Sequence, residues 1–452
     1  MSHEDLLVLC TYQPLSPGEK RRVVELAQQT TDWASFASLA QLNKVEPKVY
    51  LALRECGALE LLPEPLRRSL TAAASKVQVA NEQRLEKARA LFPELVVRGV
   101  PVCVLKGVLF AETIYQAPGY KRMNDVDFLV PKEKLAQLPA LYEQLGYFAL
   151  AERVGKRADV QTRVSHHLPP YVSRDLRCVL GTQWGLKSPL LGLKLDLEAM
   201  WRRARPFDFY GIPLQQLSPT DNLVHVCLHL GLFKSGLRDV MDIYNLARVA
   251  GADLDPELFT TLVLEAGASD LAYHSLSLAN RLCPLPAFEW VLARLEPHVS
   301  AFMRETVEKK TASRSVQLRL CSGYLTVIEK AISDFNASES APEKLRGFAE
   351  FWSLVLRPPL HEAQQVCFSP FSGAAELRTL RLRAPVAILR AIGAEIGGPL
   401  LALLLLKGGV DVALTALNPW AWRRTETRDL ASFAARHGLS LIDLQRLKDS
   451  IY

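Results

Sequence analysis

The apolar positions of this 452-residue chain follow a helical spacing in its first and last parts and a strand spacing between them. Across residues 16–95, apolar side chains recur three or four positions apart, which predicts helices. Short apolar runs at 102–105 and 126–130 predict two strands. From Ser218 onward nearly the whole pattern is helical. We therefore expect an α+β fold in which a small sheet is flanked by N-terminal and C-terminal helical regions.

Three further elements follow from the pattern around this sheet. Lys106-Gly107 turns the first strand into a helix over 108–115, and a second helix is expected over 133–145. Residues 193–198 alternate apolar and polar side chains, as a half-buried strand does. The two strands before residue 131 and this later one would form the sheet.

Changes of pattern divide the chain into regions. Ser16-Pro17-Gly18-Glu19 has the form of a helix start with a capping box. Residues 338–342 are rich in serine and end in proline, which is typical of a linker. The predicted regions are an N-terminal helical region (1–95), a domain that contains the sheet (96–217), a helical domain (218–335) and a C-terminal helical region (343–452).

Composition narrows the class of protein only slightly. The formal net charge is +6, too small for this length to indicate a nucleic-acid-binding protein. The eight cysteines are scattered without a CxxC pair, so reduced thiols in a cytoplasm are expected. The N-terminus shows no apolar signal core, and the uncharged run at 396–406 is too short to span a bilayer. We expect a cytoplasmic protein with no transmembrane segment.

Residues 378–424 combine basic, apolar and aromatic side chains. One interpretation is an interfacial membrane contact or a protein-docking surface. The other, which we favour, is a pair of core helices with basic ends. The basic and aromatic members of this stretch are Arg378, Arg381, Arg383, Arg390, Trp420, Trp422, Arg423 and Arg424.

Two aspartates, Asp125 and Asp127, carry the most specific chemical signal in the chain. They are separated by one residue at the start of an apolar strand, so both side chains point to the same face. Neighbouring carboxylates in an apolar setting repel each other unless a cation lies between them. Hard oxygen ligands favour Mg²⁺. We therefore predict that both residues are metal ligands.

The elements around these aspartates predict phosphate chemistry. Lys106 and the backbone of Gly107 would offer a positive charge and amide donors to a phosphate. Asp196, in the later strand, would supply a third carboxylate. Two carboxylates for the metal that binds a triphosphate, with a third that helps to deprotonate the acceptor, are the components of a nucleotidyl transfer site.

The same residues resemble a known family. Leu105-Lys106-Gly107, Pro118-Gly119, Arg122 and the run from Asn124 to Val130 are similar to the bacterial uncharacterised nucleotidyltransferases, within the DNA polymerase β-type nucleotidyltransferase superfamily. The similarity covers roughly residues 26–250. It includes Asn43 to Pro47, Asn81, His166-His167, Asp196, Leu228-His229, Leu237-Arg238 and Asp242.

The resemblance implies a small mixed sheet in a catalytic domain at 96–217, and a helical domain at 218–335 that closes the nucleotide cleft. It also implies an NTP donor such as ATP, and Mg²⁺ or Mn²⁺ as cofactor. Carried over by position, Asp125, Asp127 and Asp196 would be catalytic and would bind the metal. Lys106 and Gly107 would contact the nucleotide phosphates. In two places the chain departs from its relatives: Val108 stands where the superfamily usually has serine, and Glu198 stands where the family tends to have histidine.

Other polar residues allow both a functional and a structural interpretation. Arg122 could contact phosphate, cap the preceding loop or pair with Asp125. His166-His167 could reach the triphosphate or the acceptor. His225 and His229 have the i, i+4 spacing of a metal pair, but their apolar surroundings favour a packing helix. His229 could still line the nucleotide cleft. Arg238 and Asp242 are expected to form an intrahelical ion pair.

The sequence thus predicts a Mg²⁺-dependent enzyme that transfers a nucleoside monophosphate, AMP from ATP, and releases pyrophosphate. The acceptor stays open among a protein, a peptide, a small molecule and an RNA end. The alternative is a catalytically silent nucleotide-binding scaffold or adaptor in a biosynthetic or toxin system.

Overall fold

A computed structural model describes residues 2–149, 165–232, 234–321, 323–337, 341–373, 376–418, 435, 437–440 and 442–443. The strands are β1 (Cys103–Val104), β2 (Val126–Leu129), β3 (Tyr147–Ala149), β4 (Tyr171–Ser173), β5 (Val179–Gln183), β6 (Arg205–Phe209) and β7 (Ile212–Gln216). The α-helices are α1 (Ser2–Leu9), α2 (Pro17–Gln29), α3 (Trp33–Leu42), α4 (Glu46–Glu55), α5 (Glu64–Val97), α6 (Lys106–Thr113), α7 (Leu138–Gln144), α8 (Leu197–Arg203), α9 (Pro219–Leu230), α10 (Leu237–Ala250), α11 (Pro256–Ala266), α12 (Ser269–Leu282), α13 (Pro286–Leu295), α14 (Ala301–Thr311), α15 (Arg314–Arg319), α16 (Tyr324–Ala337), α17 (Ala341–Leu356), α18 (Leu360–Val366), α19 (Leu377–Ile396) and α20 (Gly398–Leu417).

The chain forms two compact units, and each unit is built from two separate stretches of sequence. The first unit comprises Met1–Met123 and Leu193–Cys321, and the second comprises Asn124–Gly192 and Ser322–Tyr452. The chain leaves the first unit after Met123 and returns to it at Leu193. Each unit therefore combines strands with helices from distant parts of the sequence.

The first unit contains a short mixed set of strands. β1 pairs with β7 in parallel, with Cys103 opposite Gln215, and β7 pairs antiparallel with β6. The turn between β6 and β7 consists of Tyr210 and Gly211, both with positive φ (53° and 82°). Two such residues give the turn the twist that a tight hairpin needs. Sequence analysis did not predict this hairpin, because Tyr-Gly is a weaker turn signal than Asn-Gly.

Helices make up the rest of the first unit. Helix α2 begins with the predicted capping box: the Ser16 side chain accepts from the Glu19 amide, and the Ser16 amide donates to the Glu19 carboxylate at 2.8 Å. The long helix α5 packs Phe92 edge-on against Phe209 of the hairpin, with ring centroids 5.4 Å apart. The hairpin is thereby fixed to the helical part of the unit.

In the second unit the strand order is β3-β4-β5-β2. β3, β4 and β5 pair antiparallel, whereas β2 lies parallel to β5. Tyr142 of α7 packs edge-on against Tyr171 and bonds through its hydroxyl to Thr182 at 2.7 Å. This buried contact holds α7 to β4 and β5.

Helices α16, α17, α19 and α20 pack together within the second unit. The centre of this bundle is aromatic: Phe335 of α16 and Phe351 of α17 are fully buried, with ring centroids 5.8 Å apart. Within the predicted linker at 338–342, residues 338–340 lie outside the described residues. Ala341 and Pro342 already belong to α17.

The α+β class with flanking helices is confirmed, since both sets of strands are mixed and helices occupy most of the chain on either side. One predicted strand is wrong. Residues 193–196 form no strand, and helix α8 begins at Leu197. The alternating pattern was misleading because Asp196 caps this helix, its carboxylate accepting the Ala199 amide at 2.9 Å. The predicted domain boundaries remain a prediction.

The apolar run that begins at Ile396 extends further than expected. In the part of the chain that the structure describes, one helix, α20, is long and apolar enough to cross a membrane by length and composition. It is not the core helix that sequence analysis favoured, because only 11% of it is buried. Of the predicted surface at 378–424, residues 419–424 lie outside the described residues.

Candidate active site

The two aspartates lie at the start of β2 in the second unit. Asp125 directly precedes the strand, and Asp127 is its second residue. Every residue of β2 is buried, including Asp127, of which 8% is exposed. The apolar neighbours Val126, Phe128 and Leu129 fix the strand in the core. This packing holds the Asp127 carboxylate in a fixed direction.

A glycine on the neighbouring strand makes room for both carboxylates. Gly181 of β5 stands opposite Asp127 in the parallel register. A Cβ atom at position 181 would lie 2.3 Å from Asp127 Oδ1 and 3.5 Å from Asp125 Oδ2. The two carboxylates therefore lie on the same face of the strands, as side-chain alternation predicts, and only glycine leaves space for them.

Gln183 of β5 contacts the carboxylate pair through its side-chain amide. Its Nε2 donates a hydrogen bond to Asp127 Oδ1 at 2.8 Å. The Gln183 side chain is buried, and its Oε1 has no hydrogen-bond partner among the described residues. A buried amide oxygen without a donor is costly unless a cation or water faces it. Sequence analysis missed Gly181 and Gln183, because their register against Asp127 is set by the pairing of β5 with β2.

His166 and His167 run along the free end of β5. The Trp184 amide donates to the His166 carbonyl at 2.9 Å, and His167 forms an antiparallel bridge with Gln183. Bridged residues share a face, so the His167 side chain lies on the face that carries Gln183 and Asp127. His167 Nδ1 lies 2.9 Å from the Leu168 carbonyl. Because a carbonyl only accepts, Nδ1 carries a proton in this contact, so Nε2 is the ring nitrogen that could act as a base or ligand.

Lys106 and Gly107 lie in the first unit, at the start of α6. Lys106 has a φ of +45°, a left-handed conformation that is uncommon for a residue other than glycine. The preceding residue, Leu105, gives the helix no side-chain cap. A Cβ at Gly107 would lie 2.9 Å from Met123 Cγ, so glycine lets Met123 pack against the helix start. Such a helix N-terminus offers backbone amides to an anion.

Asn81 of α5 fixes the loop that carries Arg122. Its Nδ2 donates to the carbonyls of Pro118 (2.5 Å) and Lys121 (2.7 Å), and its Oδ1 accepts from the Met123 amide at 3.1 Å. Asn81 is fully buried, so these three bonds satisfy the polar groups of its amide with loop backbone. Arg122 itself is exposed. One side chain thus determines the conformation of the segment that leads towards the aspartates.

Asp242 corrects a prediction. It does not pair with Arg238, which bonds to Asp239 instead. The Asp242 carboxylate accepts from Lys121 and from the Tyr115 hydroxyl, the latter at 2.8 Å. The predicted intrahelical pair does not form because Lys121, a partly buried lysine from the loop, binds the Asp242 carboxylate instead. Burial raises the pKa of Asp242, while Lys121 and Tyr115 act in the opposite direction.

Asp196, the predicted third carboxylate, lies in the first unit as the exposed N-cap of α8. Glu198 lies in the first turn of the same helix. Its carboxylate is 3.9 Å from Arg202 and 92% exposed. The inferred strand face that Asp196 and Glu198 would share does not exist, since they lie in a helix start. Catalysis by Asp196 remains a prediction.

Helix α9 carries His225 and His229. His225 is fully buried in a helix whose residues 220–228 are all buried, which agrees with the packing interpretation. His229 is partly exposed, and its Nε2 accepts a hydrogen bond from the Lys234 ammonium at 2.9 Å. A ring nitrogen that accepts from an ammonium carries no proton. A nucleotide contact by His229 remains a prediction.

The carboxylate pair fits a small divalent cation. Within the described residues, no group of three or more His, Cys, Asp or Glu side chains could hold a metal ion. Mg²⁺ needs fewer protein ligands than that, because it takes its remaining ligands from water and substrate phosphates. Asp125 and Asp127 over Gly181, with the Gln183 amide oxygen beside them, supply the hard oxygen donors that such an ion prefers.

Comparison with known proteins agrees with this chemistry. The family model of the uncharacterised nucleotidyltransferases matches residues 29–284, more than half of the chain, and this stretch includes every candidate site residue named above. No curated protein and no solved structure matches the chain. The chain therefore belongs to the uncharacterised nucleotidyltransferase family, and it is a transferase of phosphorus-containing groups.

Proposed function

We propose that this protein transfers a nucleoside monophosphate, AMP from ATP, to an acceptor and releases pyrophosphate, with Mg²⁺ or Mn²⁺ as cofactor. The observation that carries the proposal is the pair of carboxylates, Asp125 and Asp127, which share one face above Gly181. A structural role would not require glycine at this position. Two carboxylates that converge in this way are typical of a metal site for phosphoryl chemistry.

Asp125 and Asp127 would hold the cofactor, which would neutralise charge on the triphosphate. Gln183 holds the Asp127 carboxylate in position through its 2.8 Å hydrogen bond. Lys106 and the Gly107 amide, at the start of α6, would bind phosphate oxygens. Arg122 would add a second positive charge from the loop that Asn81 fixes. These residues contribute position and charge, which are the main terms in phosphoryl transfer.

The proposed reaction forms one bond and breaks one. The acceptor oxygen or nitrogen bonds to the α-phosphorus of the nucleotide, and the bond from that phosphorus to the bridging oxygen breaks. The leaving group is pyrophosphate. The acceptor proton passes to a base on the enzyme. Asp196 is the base that the family resemblance implies. His167, with its proton on Nδ1 and Nε2 directed elsewhere, is a second candidate from the face of Asp127.

The test is nucleotidyl transfer by the full-length protein. It is incubated with each labelled NTP, Mg²⁺ or Mn²⁺, and acceptors of each class, including a cell lysate, and both pyrophosphate release and label transfer are followed. We expect ATP to give the highest transfer. Asp127→Asn and Gly181→Ala should each lower the rate about 100-fold to 1,000-fold, because both displace charge at the transition state.

Gly373→Ala is the matched control for Gly181→Ala. A Cβ at position 373 meets nothing within 4 Å, so this variant should keep full activity. Transfer that survives Asp127→Asn would remove the proposed site. Binding of an NTP without transfer to any acceptor would instead support the silent scaffold. Comparing Asp196→Asn with His167→Gln then identifies the base, since only loss of the base should abolish the rise of the rate with pH.

A further inference from the structure

Helix α20 packs against its neighbours at a pair of glycines, Gly408 and Gly409. Only Leu401 and Gly408 of its twenty residues are buried. A Cβ at Gly408 would lie 2.1 Å from Cε2 of Phe335, and one at Gly409 would lie 3.8 Å from Cζ of Phe348. The helix thus meets α16 and α17 through glycine, against their aromatic rings. Apart from Leu401, its leucines therefore lie outside the core of the bundle.

The opposite face of α20 is an exposed apolar stripe. Its members recur three or four residues apart and therefore lie along one line of the helix. Their exposed fractions range from 49% for Val410 to 80% for Leu417. The stripe consists of Leu403, Leu406, Val410, Leu414 and Leu417. A monomeric soluble protein rarely exposes so continuous an apolar surface, so the stripe indicates a binding surface.

The adjoining helix α19 adds positive charge and two further apolar side chains. Arg378, Leu382, Val386 and Arg390 recur every four residues and are all exposed, opposite the buried row that includes Ala384 and Ile388. Arg381 and Arg383 are exposed as well. The acidic residues of the two helices are each paired within the unit, Glu395 with Lys187 and Asp411 with Lys407.

We propose that the exposed faces of α19 and α20 dock onto the surface of an anionic lipid bilayer, with α20 lying in the interface. Apolar side chains on one helix and arginines on its neighbour match the acyl boundary and the anionic headgroups. A second copy of the chain fits less well. A symmetric contact would bring like charges of the two arginine-bearing helices together, which is unfavourable.

The charges of α20 also argue against a membrane-spanning helix. Lys407 and Asp411 lie near the middle of α20, where a spanning helix would place them at the bilayer centre. Asp411 lies 3.8 Å from Lys344 of α17 as well, which ties α20 to the bundle. In an interfacial position Asp411 stays close to α17, and Lys407, which is 59% exposed beside the stripe, can extend its ammonium group to the anionic headgroups. Docking is therefore compatible with the fold as it stands.

The experiment is flotation of the full-length protein with vesicles of phosphatidylcholine alone or mixed with phosphatidylglycerol. We expect co-flotation with the anionic vesicles that weakens with salt. The double variant Leu406→Asp/Leu414→Asp should lower binding at least about tenfold, because it places charge in the apolar contact. Arg378→Gln/Arg390→Gln should lower binding to anionic vesicles by about ten- to thirtyfold.

Val97→Asp is the matched control. Val97 is 82% exposed on α5 of the first unit, so this variant should bind as the unchanged protein does. Thermal unfolding checks that each variant folds. If Leu406→Asp/Leu414→Asp does not fold, Arg378→Gln/Arg390→Gln still tests the proposal. Absence of flotation overturns the proposal. So does resistance to alkaline extraction, which indicates a spanning helix, and so does a dimer that Leu406→Asp dissociates.

Discussion

Helices α9 and α20 are both apolar, yet they use their apolar residues in opposite ways. In α9 residues 220–228 are all buried, including the histidine and the asparagine of that run. In α20 only Leu401 and Gly408 are buried, and four leucines, Leu403, Leu406, Leu414 and Leu417, are exposed. The comparison teaches that hydropathy along a helix does not determine burial. Burial depends on which residues the neighbouring elements can accommodate, and around α20 the aromatic rings accommodate glycine.

The largest expected difference in stability between the two helices comes from replacing one leucine of each by alanine. Leu228→Ala in α9 removes a side chain that is fully buried and should cost about 2–5 kcal/mol of the free energy of unfolding. Leu414→Ala in α20 should change it by less than about 0.5 kcal/mol. Urea unfolding of both variants measures the difference. Equal costs would mean that protein covers the leucines of α20.

A smaller but specific effect is expected at the two adjacent glycines of α20. Gly408→Ala forces a methyl group into the ring of Phe335 and should cost about 1–3 kcal/mol. Gly409→Ala meets only an ordinary contact with Phe348, so the better helix propensity of alanine should stabilise the protein by up to about 1 kcal/mol. Opposite signs in thermal unfolding would confirm the glycine contact, and equal signs would contradict it.

Sequence analysis succeeded where one local signal determined the structure. The capping box at Ser16 and the buried strand that ends before Pro131 needed no information from elsewhere in the chain. The same-face arrangement of Asp125 and Asp127 followed from strand alternation alone. These features are confirmed because their cause lies within a few residues.

Sequence analysis failed where the structure of a segment depends on contacts with residues that are distant in the sequence. The alternation over residues 193–198 is typical of a strand. In the structure residues 193–196 pair with no described strand, and Asp196 caps a helix that begins at Leu197. Gly181 and Gln183 became recognisable only through the register of β5 against β2. The outward leucines of α20 depend on the position of Phe335. Each of these needs a contact across many residues, which one sequence does not reveal.

A buried histidine of α12, a helix that packs against α9, should make the stability of the protein depend on pH. His274 of α12 is fully buried, and Lys310 donates to its Nε2 at 3.0 Å and to the Leu232 carbonyl, just beyond α9. Burial, reinforced by Lys310, lowers the pKa of His274 well below its ordinary value of 6.5. As the pH falls below 6.5, His274 therefore binds a proton in the unfolded chain but not in the folded chain. This favours the unfolded chain, and stability is lost.

The expected loss is up to about 1.4 kcal/mol per pH unit below pH 6.5, and none of it arises above that pH. Urea unfolding at a series of pH values measures it. His274→Gln keeps an acceptor for Lys310 but cannot titrate. The stability difference between this variant and the unchanged protein should shift in favour of the variant as the pH falls. A difference independent of pH would contradict this, because it would mean that His274 binds its proton equally well in the folded and unfolded chains.

The smallest effect concerns the ion pair on the exposed side of α20. Lys407 and Asp411 are four residues apart, and their side chains are 59% and 29% exposed. An exposed helical pair of this kind contributes about 0.3–0.5 kcal/mol, and salt screens it. Lys407→Ala should therefore lower stability by that amount at low salt and by almost nothing at high salt. A loss above about 1 kcal/mol that salt does not change would mean that protein surrounds this face in solution. Helix α20 would then be packed as α9 is, and its leucines would no longer be available to a lipid surface.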